Sequence, residues 1–290
     1  PQLILDAAMG VIDRNTGRTR KQLFTVRDGG LKIQLHEAYN EEDEAQYIVD
    51  SIATLSAREK LNPGDVAIMY RINAQSRPIE DAFVRAGLPY RIVGATRFYA
   101  RREVKDLLAF LRLINNPVDS VSLMRVINVP PRGLGAKTLE ILQAAADSAG
   151  APASAVLRDL AANGRASQHA KGFSGKAGGA LAEFGHALEG WLAAKESLPI
   201  VKLIDRILKD IDYQRYINDG TDEGEERWDN VMELRGVAAE SDGIDLTTFL
   251  EQVALVSEVD NLAEAGVGPT LLTLHAAKGL EFPVVFIAGL

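Results

Sequence analysis

Leu3, Ile4, Ala7, Ala8, Val11 and Ile12 recur at three- and four-residue spacing behind Pro1, which predicts a helix over Pro1–Arg14. Leu31, Ile33 and Leu35 then alternate as a strand would. The helical period returns over Glu41–Lys60, and Val66–Tyr70 reads as a short buried strand after Pro63-Gly64. Ser76–Gly87 predicts a helix ending on glycine, and Pro89–Val93 another strand. Strand alternating with helix implies a mostly parallel sheet.

Beyond about Gly94 the pattern becomes helix upon helix: Arg102–Asn115, Ser120–Asn128, Ala136–Ser148, Ala153–Ala162, Lys176–Glu196, Pro199–Lys209, Glu225–Glu240 and Asp245–Val256. Gly164–Gly179 carries five glycines with Arg165, Lys171 and Lys176, the composition of a mobile loop. Strand chemistry resumes after Gly266–Pro269, in Thr270–Leu274 and Pro283–Ala288. The expected fold class is α/β, one parallel-sheet domain interrupted by a mostly α-helical insertion. The expected boundaries are 1–95 for the first part of the sheet domain, 96–265 for the insertion and 266–290 for the return. No internal repeat is evident.

Composition narrows this picture. With 47% apolar and 25% charged residues in 290, the chain reads as an ordinary globular protein long enough for two domains. No apolar run approaches the ~20 residues of a membrane helix, and residues 1–25 carry no signal-peptide pattern, so the default location is the cytoplasm. A start inside a helix without methionine suggests a piece of something longer. Absent cysteine removes disulfides and thiolate ligands, and four scattered histidines offer no metal spacing, so no metal site is expected. The net charge of −8 argues against a uniformly basic surface. Yet Arg97–Lys105 and Arg125–Lys137 remain local basic stripes, with Arg101, Arg102 and Lys105 read as solvated charge on a helix.

Three places gather chemistry. At Thr270–Gly289 a strand ends on a polar cluster before a second strand starts, and strand ends are where α/β sheets keep ligands. Thr273 and His275 offer donors for a phosphate or base, Gly279 permits close backbone approach, and Glu281 can accept from a sugar hydroxyl. Tyr70, Arg71 and Asn73 stand at the end of a predicted strand, where they suit a nucleic-acid backbone or an Arg–carboxylate pair supporting the next helix. Arg132-Gly-Leu-Gly135 joins two predicted helices, with Lys137 and Thr138 beside it, and reads as a phosphate-binding hairpin or a plain helix–helix turn.

The string Thr270-Leu-Leu-Thr-Leu-His-Ala-Ala-Lys-Gly-Leu-Glu-Phe-Pro-Val-Val-Phe-Ile-Ala-Gly289 resembles motif V of the UvrD/PcrA/Rep group of superfamily 1 DNA helicases. Asp65–Glu80, Tyr90–Gly94 with Arg97–Asp106, and Asn128–Thr138 are similar to further blocks of that group, as are Glu226–Leu234 and Phe249–Asp260. The resemblance implies a second RecA-like domain with its helical insertion, from a bacterial ATP-dependent helicase that moves 3′ to 5′ on DNA, in repair. It implies single-strand contacts by Tyr70, Arg71, Asn73, Thr273 and His275, and ATP-ribose binding by Glu281 with Gly279. It further implies duplex contacts by Arg132, Gly133, Leu134, Gly135, Lys137 and Thr138. ATP and magnesium would be cofactors of the whole protein, and DNA and a missing first RecA-like domain its partners. The chain itself holds no Gly-x-x-x-x-Gly-Lys-Ser/Thr loop and no paired-acid magnesium motif, so alone it would be inactive. The alternatives are a non-catalytic DNA-binding module and the helicase part of a RecB-type helicase–nuclease.

Overall fold

The computed structural model describes residues 1–14, 24–26, 31–173, 175–241, 243–262 and 267–290. They form two compact units, Pro1–Glu44 and Ala45–Leu290. In the first unit α1 (Gln2–Ile12) confirms the predicted helix, with none of its residues buried. Leu31, Ile33 and Leu35 do not form a strand and are 86%, 62% and 89% exposed. Alternation states which side chains would share a face. A strand forms only where another backbone takes its N–H and C=O groups.

In the second unit β1 (Val66–Tyr70), β2 (Arg91–Val93), β3 (Thr270–Thr273) and β4 (Val284–Ile287) make a parallel sheet of order β2-β3-β1-β4. β3 comes from the far end of the sequence yet pairs between β2 and β1, so the chain leaves the sheet after Val93 and returns at Thr270. Val66, Ile68, Tyr70 and Leu271 pack with Ile48, Val49 and Ile52 of α2 (Glu41–Glu59) and Ile79 and Phe83 of α3 (Ser76–Arg85).

All the intervening elements are helical: α4 (Arg102–Asn115), α5 (Ser120–Val126), α6 (Ala136–Ala149), α7 (Ala153–Asn163), α8 (Gly175–Lys195), α9 (Ile200–Asp210), α10 (Tyr213–Ile217), α11 (Asp222–Glu240) and α12 (Leu246–Leu262). Their core runs from Phe98 to Val253 and shares no residue with the core under the sheet. Trp191 is fully buried there, edge-on to Phe110 at 5.6 Å and Phe184 at 6.0 Å, and its indole N–H donates to Asp210 at 3.0 Å. Burying such a ring and satisfying its single donor are compatible only with a partner at that position. The stretch expected to be a mobile loop is largely structured. α8 already begins at Gly175, Ser167 donates to Asp159, and Phe173 is 8% exposed in the helical core. Among the described residues no helix is long and apolar enough to cross a membrane.

The helices meet the sheet-bearing part through a polar seam. α11 turns Val231, Leu234 and Ala238 into the helical core and aims Glu226, Asn230, Glu233 and Glu240 the other way. Glu233 accepts from Arg77 Nε at 2.6 Å and Glu240 lies 3.5 Å from Arg77 Nη2. Burial works to lower the Arg77 pKa, but Glu233 and Asp81 outweigh it and the net shift is upward. Arg101, expected in solvent, is 6% exposed. It donates to Asn230 at 2.6 Å, Ser76 at 2.8 Å and the Thr96 carbonyl at 3.0 Å. Burial lowers its pKa against the opposing pull of Glu80. A basic run is solvated only residue by residue: Arg101 precedes α4 and faces the seam, whereas Arg102 and Lys105 are exposed.

Candidate nucleic-acid and nucleotide interface

The carboxyl ends of four parallel strands form one edge, where open α/β sheets bind ligands. Tyr70 pairs with Thr273 in register, and Leu274 N donates to the Tyr70 carbonyl at 2.9 Å, so Arg71 and His275 leave adjacent strand ends. A Cβ on Gly94, after β2, would stand 3.0 Å from Ala276 Cβ, which brings that loop to the same edge. Past β4, Gly289 closes onto the Gln75 side chain. Gln75 was not singled out from sequence, although its Oε1 accepts from Arg71 N at 3.0 Å and Ile72 N at 3.1 Å. That amide fixes the turn from which Arg71 projects.

Arg71 is exposed and meets no carboxylate among the described residues, which leaves its five donors for an external acceptor. Asn73 is half-buried, with Nδ2 donating to Glu226 of α11 at 2.9 Å and Oδ1 without a partner among the described residues. Tyr70 departs from expectation. Its side chain is 0% exposed in the core, and burial together with nearby Glu80 raises its pKa, so that side chain packs the sheet instead of facing outward. β1 is an inner strand, paired by β3 and β4, which closes both of its sides.

Thr273 Oγ1 accepts from Ala276 N at 3.2 Å, starting a tight turn, and its hydroxyl hydrogen remains free to donate. His275, Lys278 and Glu281 are exposed along the following loop. Gly279 adopts φ +86°, a backbone that a side chain would strain. One short segment after β3, whose end adjoins that of β1, thus presents a hydroxyl, an imidazole, an ammonium and a carboxylate. Among the described residues no three His, Asp or Glu side chains gather as a cation site.

The hairpin lies in the helical part, between α5 and α6. Asn128, also missed from sequence, accepts from Arg132 N at 2.7 Å and donates to the Leu134 carbonyl at 3.2 Å, bracing the loop. Arg132 itself turns inward. Nη1 faces the carbonyls of Val129 at 2.9 Å, Ile127 at 3.0 Å, Pro130 at 3.3 Å and Val126 at 3.4 Å, and the guanidinium sits 5.0 Å above the Phe184 ring. Burial lowers its pKa, with Glu183 opposing. The expected phosphate contact is therefore a strut, because the same charge that attracts phosphate also satisfies a cluster of buried carbonyls. Leu134 is 4% exposed and anchors the loop in the helical core. Gly133, Gly135 and Lys137 remain at the surface and Thr138 is half-buried. Gly133 takes φ +71°, while Gly135 is extended at φ −80°, so only the first needs glycine.

A family model described as the UvrD-like helicase C-terminal domain matches residues 1–165 and 182–290. The ATP-dependent DNA helicase PcrA of Bacillus subtilis is 39% identical over 298 residues, covering 99% of this chain and 39% of its own length. The ATP-dependent DNA helicase UvrD1 of Mycobacterium tuberculosis is 38% identical over 308 residues, with the same coverage. The Staphylococcus aureus PcrA helicase is 36% identical over 294 residues. The chain spans about two fifths of the length of the curated relatives it matches.

Proposed function

The chain belongs to the UvrD-like helicase family, and from that premise we propose that it is the second RecA-like part, with its helical insertion, of a cytoplasmic ATP-dependent DNA helicase that moves 3′ to 5′ and acts in repair. The observation that carries this reading is the convergence of Arg71, Asn73, Thr273 and His275 at adjacent carboxyl ends of β1 and β3. A guanidinium, a hydroxyl and an imidazole there, with the Asn73 amide behind them held by Glu226, suit the backbone of a single strand, which they would grip without reading its bases.

Glu281 and Gly279 follow on the same loop and would form one wall of the ATP cleft, Glu281 accepting from the ribose hydroxyls. The triphosphate and its magnesium would be held by a first RecA-like domain, because this chain carries no phosphate loop and its described residues gather no cation ligands. Closing that cleft on ATP and reopening it after hydrolysis would alternate the two domains' hold on the strand. The sheet-bearing part would comprise 1–95 and 266–290 and the insertion 96–265. The separate helical core supports this division. Gly133, Gly135, Lys137 and Thr138 would meet the duplex ahead, with Leu134 and Arg132 holding the hairpin in shape.

The reading is tested by strand displacement with the whole protein on duplexes carrying a 3′ or a 5′ single-stranded tail. ATP-dependent unwinding of the 3′-tailed duplex alone is expected. Preference for the 5′ tail, or tight DNA binding with no ATP-driven displacement, would overturn it in favour of the opposite polarity or a non-catalytic module.

A further inference from the structure

The hairpin sequence occurs twice. Arg132-Gly-Leu-Gly-Ala-Lys137 is matched by Lys171-Gly-Phe-Ser-Gly-Lys176, a repeat that escapes a reading of the sequence alone because only the cations, the first glycine and an apolar residue coincide. In the structure both runs lead into a helix, but the loops differ: Lys171 and Gly172 lie in a 3-10 turn (Ala170–Gly172), whereas Gly133 takes φ +71°. α6 begins at Ala136 and α8 at Gly175, so each lysine is the second residue of its helix. The apolar residue of each copy, Leu134 at 4% and Phe173 at 8% exposure, enters the same core, as do the equivalent Leu142 and Leu181 further along. Ser174 lies outside the described residues. All of the second copy falls in the gap of the family match, between residues 165 and 182.

The two copies are neighbours in space. A Cβ on Gly172 would stand 3.4 Å from Ile141 Cγ2 on α6, and Ile141 follows Lys137 by one helical turn on the same face. Where Arg132 is consumed by carbonyls, its counterpart Lys171 is exposed. Lys137, Arg165, Lys171 and Lys176 are all exposed and pair with no carboxylate among the described residues. The charge is segregated: the sequence has no acid from Ser120 to Leu139 or from Leu160 to Ala182, in a chain of net charge −8. Of the four bordering acids, Asp119 is engaged by Ser122, Asp159 by Ser167 and Asn163 with His169 nearby, Glu183 faces Arg132, and Glu140 is exposed on α6.

We propose that Lys171 and Lys176, continuous with Lys137 and flanked by Arg165, form a second contact with the phosphate backbone of duplex DNA, extending the hairpin's grip along the double helix. The proposal rests on the duplex role given above to the first hairpin. Uncompensated cations grouped on an acidic protein fit a polyanion, and exposed ammonium groups on flexible stems suit a phosphate backbone rather than a base edge.

The test measures binding of the whole protein to a short blunt duplex and to a single strand of equal length, across a salt series. Lys171→Ala with Lys176→Ala should weaken duplex binding and reduce the slope of log K against log salt by about two. Counterion release alone makes each lost contact worth roughly eightfold at about 0.1 M salt. Single-strand affinity should not change, and Lys171→Arg with Lys176→Arg should restore duplex binding. Lys137→Ala, measured alongside, should lower the slope by about one. If Lys137→Ala has that effect and the Lys171 and Lys176 pair has none, the second contact is wrong and the hairpin reading stands. Should neither variant alter duplex binding, both fall.

Discussion

Replacing Arg132 by alanine separates a strut from a DNA contact. Nη1 carries two hydrogens, so of the four carbonyls around it only two are bonded at once, and Val129 and Ile127 are the nearest at 2.9 and 3.0 Å. Removing a charged donor from a buried acceptor costs about 1.5–3 kcal/mol, and losing the stack on Phe184 adds about 0.5–1 kcal/mol. Partial exposure of the side chain reduces the first figure, which leaves an expected destabilisation of roughly 3 kcal/mol. For a protein of this size that is a fall in melting temperature of about 5 °C. Thermal unfolding followed by circular dichroism measures it, and duplex binding of the folded variant in a salt series measures the rest. The structure predicts the loss of stability with an unchanged salt slope. A variant as stable as the parent whose slope falls by about one would refute the strut and return Arg132 to the DNA.

The two hairpin glycines should respond differently. Gly133→Ala forces a side chain into φ +71° and should cost about 1–2 kcal/mol, whereas Gly135→Ala, at φ −80° on the N-cap of α6, should cost less, about 0.5 kcal/mol, in the same melting experiment. Equal losses would show that the loop does not hold this backbone. Asp205 accepts from Arg235 Nε at 2.6 Å and Nη2 at 3.0 Å, which holds its carboxyl below the usual carboxylate range. A depressed folded pKa stabilises above the unfolded value of about 3.9, and that stability is lost as pH falls through the lower folded value. Asp205→Asn should therefore flatten the acid limb of a stability–pH curve below about pH 4, and a curve of unchanged shape would contradict the pairing.

Much of this architecture is legible from periodicity. β1 and α4 lie where the apolar pattern places them, and the sheet's parallel character follows from strand–helix alternation. α10 escapes because five residues are too few to display a helical period. The site is legible in part, since residue type announces what a side chain can bind but not where it points. Arg71 and His275 are exposed at the strand ends, while Tyr70, the residue before Arg71, is buried in the core that the helices make against the sheet. Arg101 and Arg132 carry charge that sequence reads as available, and both spend it internally on groups distant in sequence or hidden in a loop. Gln75 and Asn128 act through the backbone amides and carbonyls they hold, a role that no spacing advertises.

The central claim is that one loop after β3 divides its labour, with His275 on the strand and Glu281 on the nucleotide. Steady-state ATPase kinetics and single-strand binding of the whole protein, compared for Glu281→Ala and His275→Ala, test it directly. Losing a ribose hydrogen bond of about 1–3 kcal/mol should raise the ATP KM of Glu281→Ala roughly 5- to 150-fold, with DNA affinity nearly unchanged. His275→Ala should weaken single-strand binding and spare the ATP KM. If both substitutions weaken DNA binding equally and leave the ATP KM untouched, the division of the loop is contradicted.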